Sequence, residues 1–228
     1  MLVAEIILAV SFFIPAGLFV AFFANKHFRF TSYIAGFFIV EQLIAAIGYQ
    51  ISLNYNNSIV PSVAIIVSLG LAIFFVIIPV LGFAGIGALV GYSVAKFVVI
   101  LANTRLFTND WVNIIYLGTI CGIFVALIFY EEYGVYIVGT AFWGGMLFIV
   151  GIDVFSKTGI NNAILQRWNN SDKFVKTNSA WVLIATWFWI TILGALIQNK
   201  FATGKVDRHT PYKINFPKRK GAVDASSV

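Results

Sequence analysis

Two charged residues stand inside apolar sequence, and their chemistry matters most. Glu41 lies near the middle of an apolar run over residues 31–52, and Lys96 lies inside another over 81–102. A charge at mid-membrane depth costs at least about 2.5 kcal/mol and is rarely kept without a role. A carboxyl there can hold a proton or a cation, and the lysine can supply its counter-charge. If both runs are helices pointing the same way, Lys96 sits about five residues further along, roughly 7–8 Å by helical rise. A Glu41–Lys96 pair is then reachable if the two helices touch. The alternative is a protonated Glu41 bonded to a neighbouring helix, with Lys96 reaching outward along its own stem. Both readings stay open at this level.

Other chemistry finds little support. Asp153 falls at the end of an apolar run beside Lys157 and reads as an interfacial charge pair. An intramembrane aspartyl protease needs a second aspartate in a facing span, and the sequence offers none. His27 and His209 lie in a short loop and in the tail, so no histidine cluster supports a metal. Cys121 is the single cysteine, which excludes an intramolecular disulfide or a cysteine-based metal site. Nucleophile-elbow, phosphate-loop and zinc-protease motifs do not occur. A retinal pigment needs a lysine in the last helix, and Trp181 to Gln198 contains none. The expectation is no catalytic residue, no metal and no cofactor.

The elements that hold these residues follow from composition. The chain is 60% hydrophobic and 11% charged over 228 residues. Soluble domains run nearer half apolar and a quarter charged, so the excess must face lipid. A spanning helix needs about 20 mostly apolar residues. Such runs fall at 3–24, 31–52, 59–79, 81–102, 111–130, 134–154 and 180–198. The first carries Glu5 and lacks a basic leader, so it reads as a span rather than a cleaved signal. The weakest break is Pro79-Val80-Leu81-Gly82, where only a proline and a glycine interrupt an apolar stretch too long for one span. Residues 156–177 form the longest internal loop. In it Ile160, Ile164 and Trp168 recur at helical spacing, which suggests a short helix in the membrane interface. The expected architecture is an all-α integral membrane protein of about seven transmembrane helices. It comprises a membrane domain over 1–200 and a basic, irregular tail over 201–228.

Charge sets the topology. Seven spans put Lys26, Arg29 and the basic tail on one side, which the positive-inside rule makes cytoplasmic. The sequons at Asn56 and Asn169 then fall outside, as glycosylation requires. The net charge of +6 sits in loops and tail, with no folded basic domain to bind nucleic acid.

The second helix reads Tyr33-Ile34-Ala35-Gly36, the sixth Tyr136-Ile137-Val138-Gly139, and the fourth carries Gly82-Phe83-Ala84-Gly85. The simplest account is three tandem helical hairpins plus a seventh helix. Gly87/Gly91 and Gly118/Gly122 both form G-x-x-x-G, and Gly36, Gly139, Gly144, Gly145 and Gly151 are further packing candidates. Small residues one turn apart let helix backbones approach where lipid gives no hydrophobic drive to associate. Packing within the chain is favoured over dimerisation.

Ala16-Gly17-Leu18-Phe19, Lys26 to Phe30 and Ile34 to Phe37 resemble the first hairpin of a known family. Gly139 to Gly145, Gly151-Ile152-Asp153-Val154-Phe155 and Thr158-Gly159 resemble its sixth helix. This is the transmembrane protein 198 family, which shares its domain with seven-transmembrane superfamily member 3. The resemblance covers about residues 10–200. It implies seven helices, no known catalytic residues and, for animal members, scaffolding in Wnt receptor signalling. The chain departs from the family in its short ends and in Glu41-Gln42, where small residues are expected, so the signalling role transfers poorly. Three functions follow as expectations. The first is a scaffold or accessory protein working through helix–helix contacts with other membrane proteins or a second copy. The second is an ion- or proton-linked channel or transporter using Glu41 and Lys96. The third is a structural subunit of a larger complex. Plasma membrane or endomembrane is the expected location, with the mitochondrial inner membrane the alternative.

Overall fold

The computed structural model describes residues 9–50, 59–102, 110–160, 164 and 178–203. Asn56 and Asn169, the two sequons, lie outside these residues, as does Trp168. Seven helices account for nearly all of the described chain. The first, α1, opens as a π-helical turn over Ala9–Phe13 and continues as an α-helix over Ile14–Phe23. Pro15 explains the wide turn: it has no N–H to donate to the carbonyl four residues back, and its ring crowds that carbonyl. The others are α2 (Phe28–Gln50), α3 (Ile59–Ile77), α4 (Pro79–Ala102), α5 (Asp110–Tyr130), α6 (Glu132–Ser156) and α7 (Asn178–Thr203).

Pro79–Ala102, Trp111–Tyr130, Tyr133–Ser156 and Asn178–Lys200 are each long and apolar enough to cross a bilayer. Val10–Phe23 and Val63–Ile77 are shorter apolar helices. The weak break at Pro79 is a corner without a loop, because Pro79 takes the first position of α4 and only Ile78 separates it from α3. Phe75 fills this corner. Its side chain lies where a Cβ on Gly36 of α2 or Gly85 of α4 would stand.

Each even-numbered helix packs closely on the one that follows, giving α2–α3, α4–α5 and α6–α7. These are the helices that carry the Tyr/Gly echo. α1 seats against α6, and further contacts join α2 to α4, α4 to α6 and α1 to α7. The core runs along α6, where Trp143 and Ile149 are fully buried. Trp187 of α7 is buried beside them and donates its indole N–H to the Phe142 carbonyl at 2.8 Å.

Glycine sets the closest approaches. At the α1–α6 crossing a Cβ on Gly17 or Gly144 would run into the opposing backbone, at Phe148 and Gly144 or at Ala21 and Gly17 respectively. Gly151 meets Ile14 and Phe13 of α1, Gly145 meets Trp187, and Gly139 meets Val90. Gly87 and Gly91 press on the backbone of α5 at Val125 and Cys121. The second G-x-x-x-G corrects the expectation of packing within the chain. Among the described residues nothing lies within 4 Å of where a Cβ on Gly118 or Gly122 would stand. Both glycines are exposed on α5.

Candidate site between helices two and four

α2 and α4 touch, and their contact gathers the intramembrane charges into one region. Glu41 and Lys96 are both half-buried. Tyr92 lies one turn before Lys96 on α4. The Lys96 ammonium lies 5.5 Å from the centre of the Tyr92 ring, a cation–π distance. The Gln42 amide donates to the Glu41 carboxylate at 2.8 Å. Cys121 reaches this region because Gly91, next to Tyr92, lets α5 come to backbone contact.

A further element enters from the chain after α6. The Tyr92 hydroxyl donates to the backbone carbonyl of Ile164 at 2.8 Å. Ile160 and Ile164 are helical and completely buried. The interfacial helix expected within 156–177 lies largely outside the described residues; Ile160 and Ile164, its described apolar members, face protein. Tyr92 falls near the middle of α4, and Ile164 meets it there. Backbone polar groups at such depth persist only where protein satisfies them or a cavity hydrates them; the Tyr92 hydroxyl satisfies this one.

Asp153 starts the return. It sits near the end of α6, but its carboxylate is buried rather than paired at the surface with Lys157, which is exposed. Its Oδ1 accepts from the Thr158 N–H at 2.8 Å, from the Ser156 hydroxyl at 3.2 Å and from the Thr158 hydroxyl. Lys157 takes a left-handed conformation (φ 50°) and donates its N–H to the Asp153 carbonyl at 2.8 Å. Gly159 follows at φ 86°, a conformation that favours glycine. One carboxylate thus ends the helix and reverses the chain toward Ile160.

A second buried polar group ties the opposite end. The Gln198 amide, 1% exposed, donates to the Ala21 carbonyl at 2.7 Å and the Val20 carbonyl at 3.3 Å. Both carbonyls lie in the last turn of the α-helical part of α1, and Ala21 is one of the last four, which lack an intrahelical N–H to pair them. Gln198 also exchanges hydrogen bonds with Thr140 of α6, and the Tyr136 hydroxyl donates to Ala24 at 3.1 Å. Sequence reasoning passed over Tyr92, Gln198 and Gly17. Tyr92 and Gln198 are single polar residues at helical positions, and nothing in their spacing marks them as contacts between helices.

Among the described residues, seven helices with largely apolar exposed surfaces and buried polar ties between them define a multi-pass helical membrane protein. The chain belongs to the TM7S3/TM198-like domain family, whose model matches residues 10–199. No curated protein and no solved structure matches it significantly.

Proposed function

We propose that this chain is an ion- or proton-linked channel or transporter whose working groups are Glu41, Tyr92 and Lys96. One observation carries the reading: Tyr92 of α4, its ring facing Lys96, bonds to the buried Ile164, while Glu41 stands on α2, which packs against α4. Ionisable groups within a membrane domain mark ion and proton pathways more often than any other role. Interrupted segments that return into the bundle recur at the substrate sites of transporters. A carboxyl that gains or loses a proton would change its pull on Lys96 and Tyr92, and through Tyr92 its hold on Ile164. The reading assigns no catalysis. It is tested in proteoliposomes under an imposed pH gradient. Wild type should dissipate the gradient and Glu41→Gln should not; equal rates in both would sink it.

A second reading rests on α5. Its spanning window is only 6% buried, and Gly118 and Gly122 are open on it. A helix so exposed, with small residues outward, suits docking against a helix of another membrane protein, as a scaffold or complex subunit would use it. Gly118→Leu should then abolish co-purification with partners in mild detergent and leave the monomer folded. An unchanged set of partners would remove the scaffold reading.

A further inference from the structure

We infer that the cleft between α1 and α2 is a binding site for one acyl chain of an anionic phospholipid, whose headgroup rests on the basic α1–α2 turn. α1 and α2 are consecutive yet diverge, so the facing sides of the two helices are not closed by each other. Between them lies a groove of about 360 Å³, lined by Phe12, Phe19, Phe30, Phe37 and Leu69 among others. That volume falls within the range of about 300–1,000 Å³ typical of small-molecule sites. Its walls are aromatic and orderly. Phe12 packs edge-on against Phe37 with ring centres 5.4 Å apart, and Phe19 against Phe30 at 4.8 Å. The Tyr33 hydroxyl, on the α3 side, is occupied by the Leu69 carbonyl at 3.2 Å. Such a lining offers a ligand hydrocarbon contact and almost no hydrogen bond, which describes an acyl chain. Ser11 and Phe12 of the π-helical turn of α1 line this groove, and turns of this kind concentrate at functional sites.

Charge identifies the headgroup. The groove ends at Phe19 and Phe30, and there the His27 ring packs on Phe19 at 5.6 Å. Lys26, His27 and Arg29 are all exposed on this turn, and the first turn of α2 contains no acidic residue. The positive end of the α2 dipole points the same way. Basic clusters beside gaps between membrane helices hold the phosphates of anionic lipids. A zwitterionic lipid would bring its own cation against the same turn, so the site discriminates by headgroup. The inference stands apart from the transport reading, because the groove lies on the α1–α2 side and shares no residue with the Glu41 cluster.

The test is native mass spectrometry of the full chain in mild detergent, titrated with phosphatidylglycerol or phosphatidylcholine of identical acyl chains. Wild type should retain phosphatidylglycerol several-fold more than phosphatidylcholine. The double variant Lys26→Gln/Arg29→Gln should reduce phosphatidylglycerol to the phosphatidylcholine level. Leu69→Trp, at a position 41% exposed and so without cost to the core, should fill the groove and reduce retention of both. Equal retention of the two lipids by wild type would overturn the inference. So would a preference that survives the double variant, or full retention of both lipids by Leu69→Trp.

Discussion

At the scale of single residues, Tyr92 links Lys96 to Ile164. Its hydroxyl bonds to the Ile164 carbonyl, and its ring faces Lys96. Tyr92→Phe keeps the ring and removes the hydroxyl. The buried Ile164 carbonyl then loses its donor, with a cost of about 0.6–1.7 kcal/mol by analogy with bonds between membrane helices. Global stability should change little, while the segment after α6 should open. Ile164→Cys, placed in this background, should react with a membrane-impermeant thiol reagent several-fold faster than in the wild-type background. Asp153 belongs to the same account. Asp153→Asn keeps part of the turn, whereas Asp153→Ala leaves the Thr158 N–H without its acceptor and should free the segment in the same assay. Equal labelling rates in all these backgrounds would mean that the segment is held by other contacts.

Among the elements, the glycines divide helices that face protein from helices that face lipid. α1 and α6 touch backbone to backbone at Gly17 and Gly144, so Gly144→Leu has nowhere to place its side chain without separating the helices. The cost of overpacking is typically about 1–3 kcal/mol and rises where backbone is the obstacle. Gly118→Leu and Gly122→Leu meet open space and should leave thermal stability in detergent unchanged within a few degrees. The ranking of melting temperatures, with Gly144→Leu far below the other two, checks the assignment. Both G-x-x-x-G patterns look identical in sequence, since spacing shows that two glycines share a face but not which way the face points. The corner at Pro79 was easier. A proline at the head of an apolar stretch too long for one span leaves few other places to turn.

For the whole molecule, the ends of the helices agree on an alternating arrangement. Tyr136 at the start of α6 and Gln198 near the end of α7 both bond to the last turn of α1, which puts those three termini at one end. Phe28 at the start of α2 meets Phe83 of α4 with ring centres 4.4 Å apart, at that same end. This end carries Lys26, Arg29 and Lys200, and from the positive-inside rule we propose that it is the cytoplasmic one. Expressed in a secretory membrane, the protein should carry a glycan at Asn169 that glycosidase removes, and the tail should be digested by protease added to the cytoplasmic face. A protected tail, or a glycan on a sequon engineered into it, would reverse the orientation.

The sequence alone determined that this is a membrane protein, how many helices it has and nearly where each begins. Those properties depend on local quantities: the length of an apolar run, the polar residues that end it and the proline that breaks it. Glu41 and Lys96 were legible for the same reason, because a charge in an apolar run is conspicuous wherever the run folds. Their company was not. Tyr92, the Ile164 carbonyl and Cys121 come to them through contacts spanning many residues of chain. A helix in a bilayer can be apolar all round, so periodicity does not distinguish the side that meets protein from the side that meets lipid. Only the tertiary structure decided that Gly87 and Gly91 face inward and Gly118 and Gly122 outward. It alone decided that Ile164, after α6, meets Tyr92 of α4, and that α1 leaves a groove beside α2 while closing on α6.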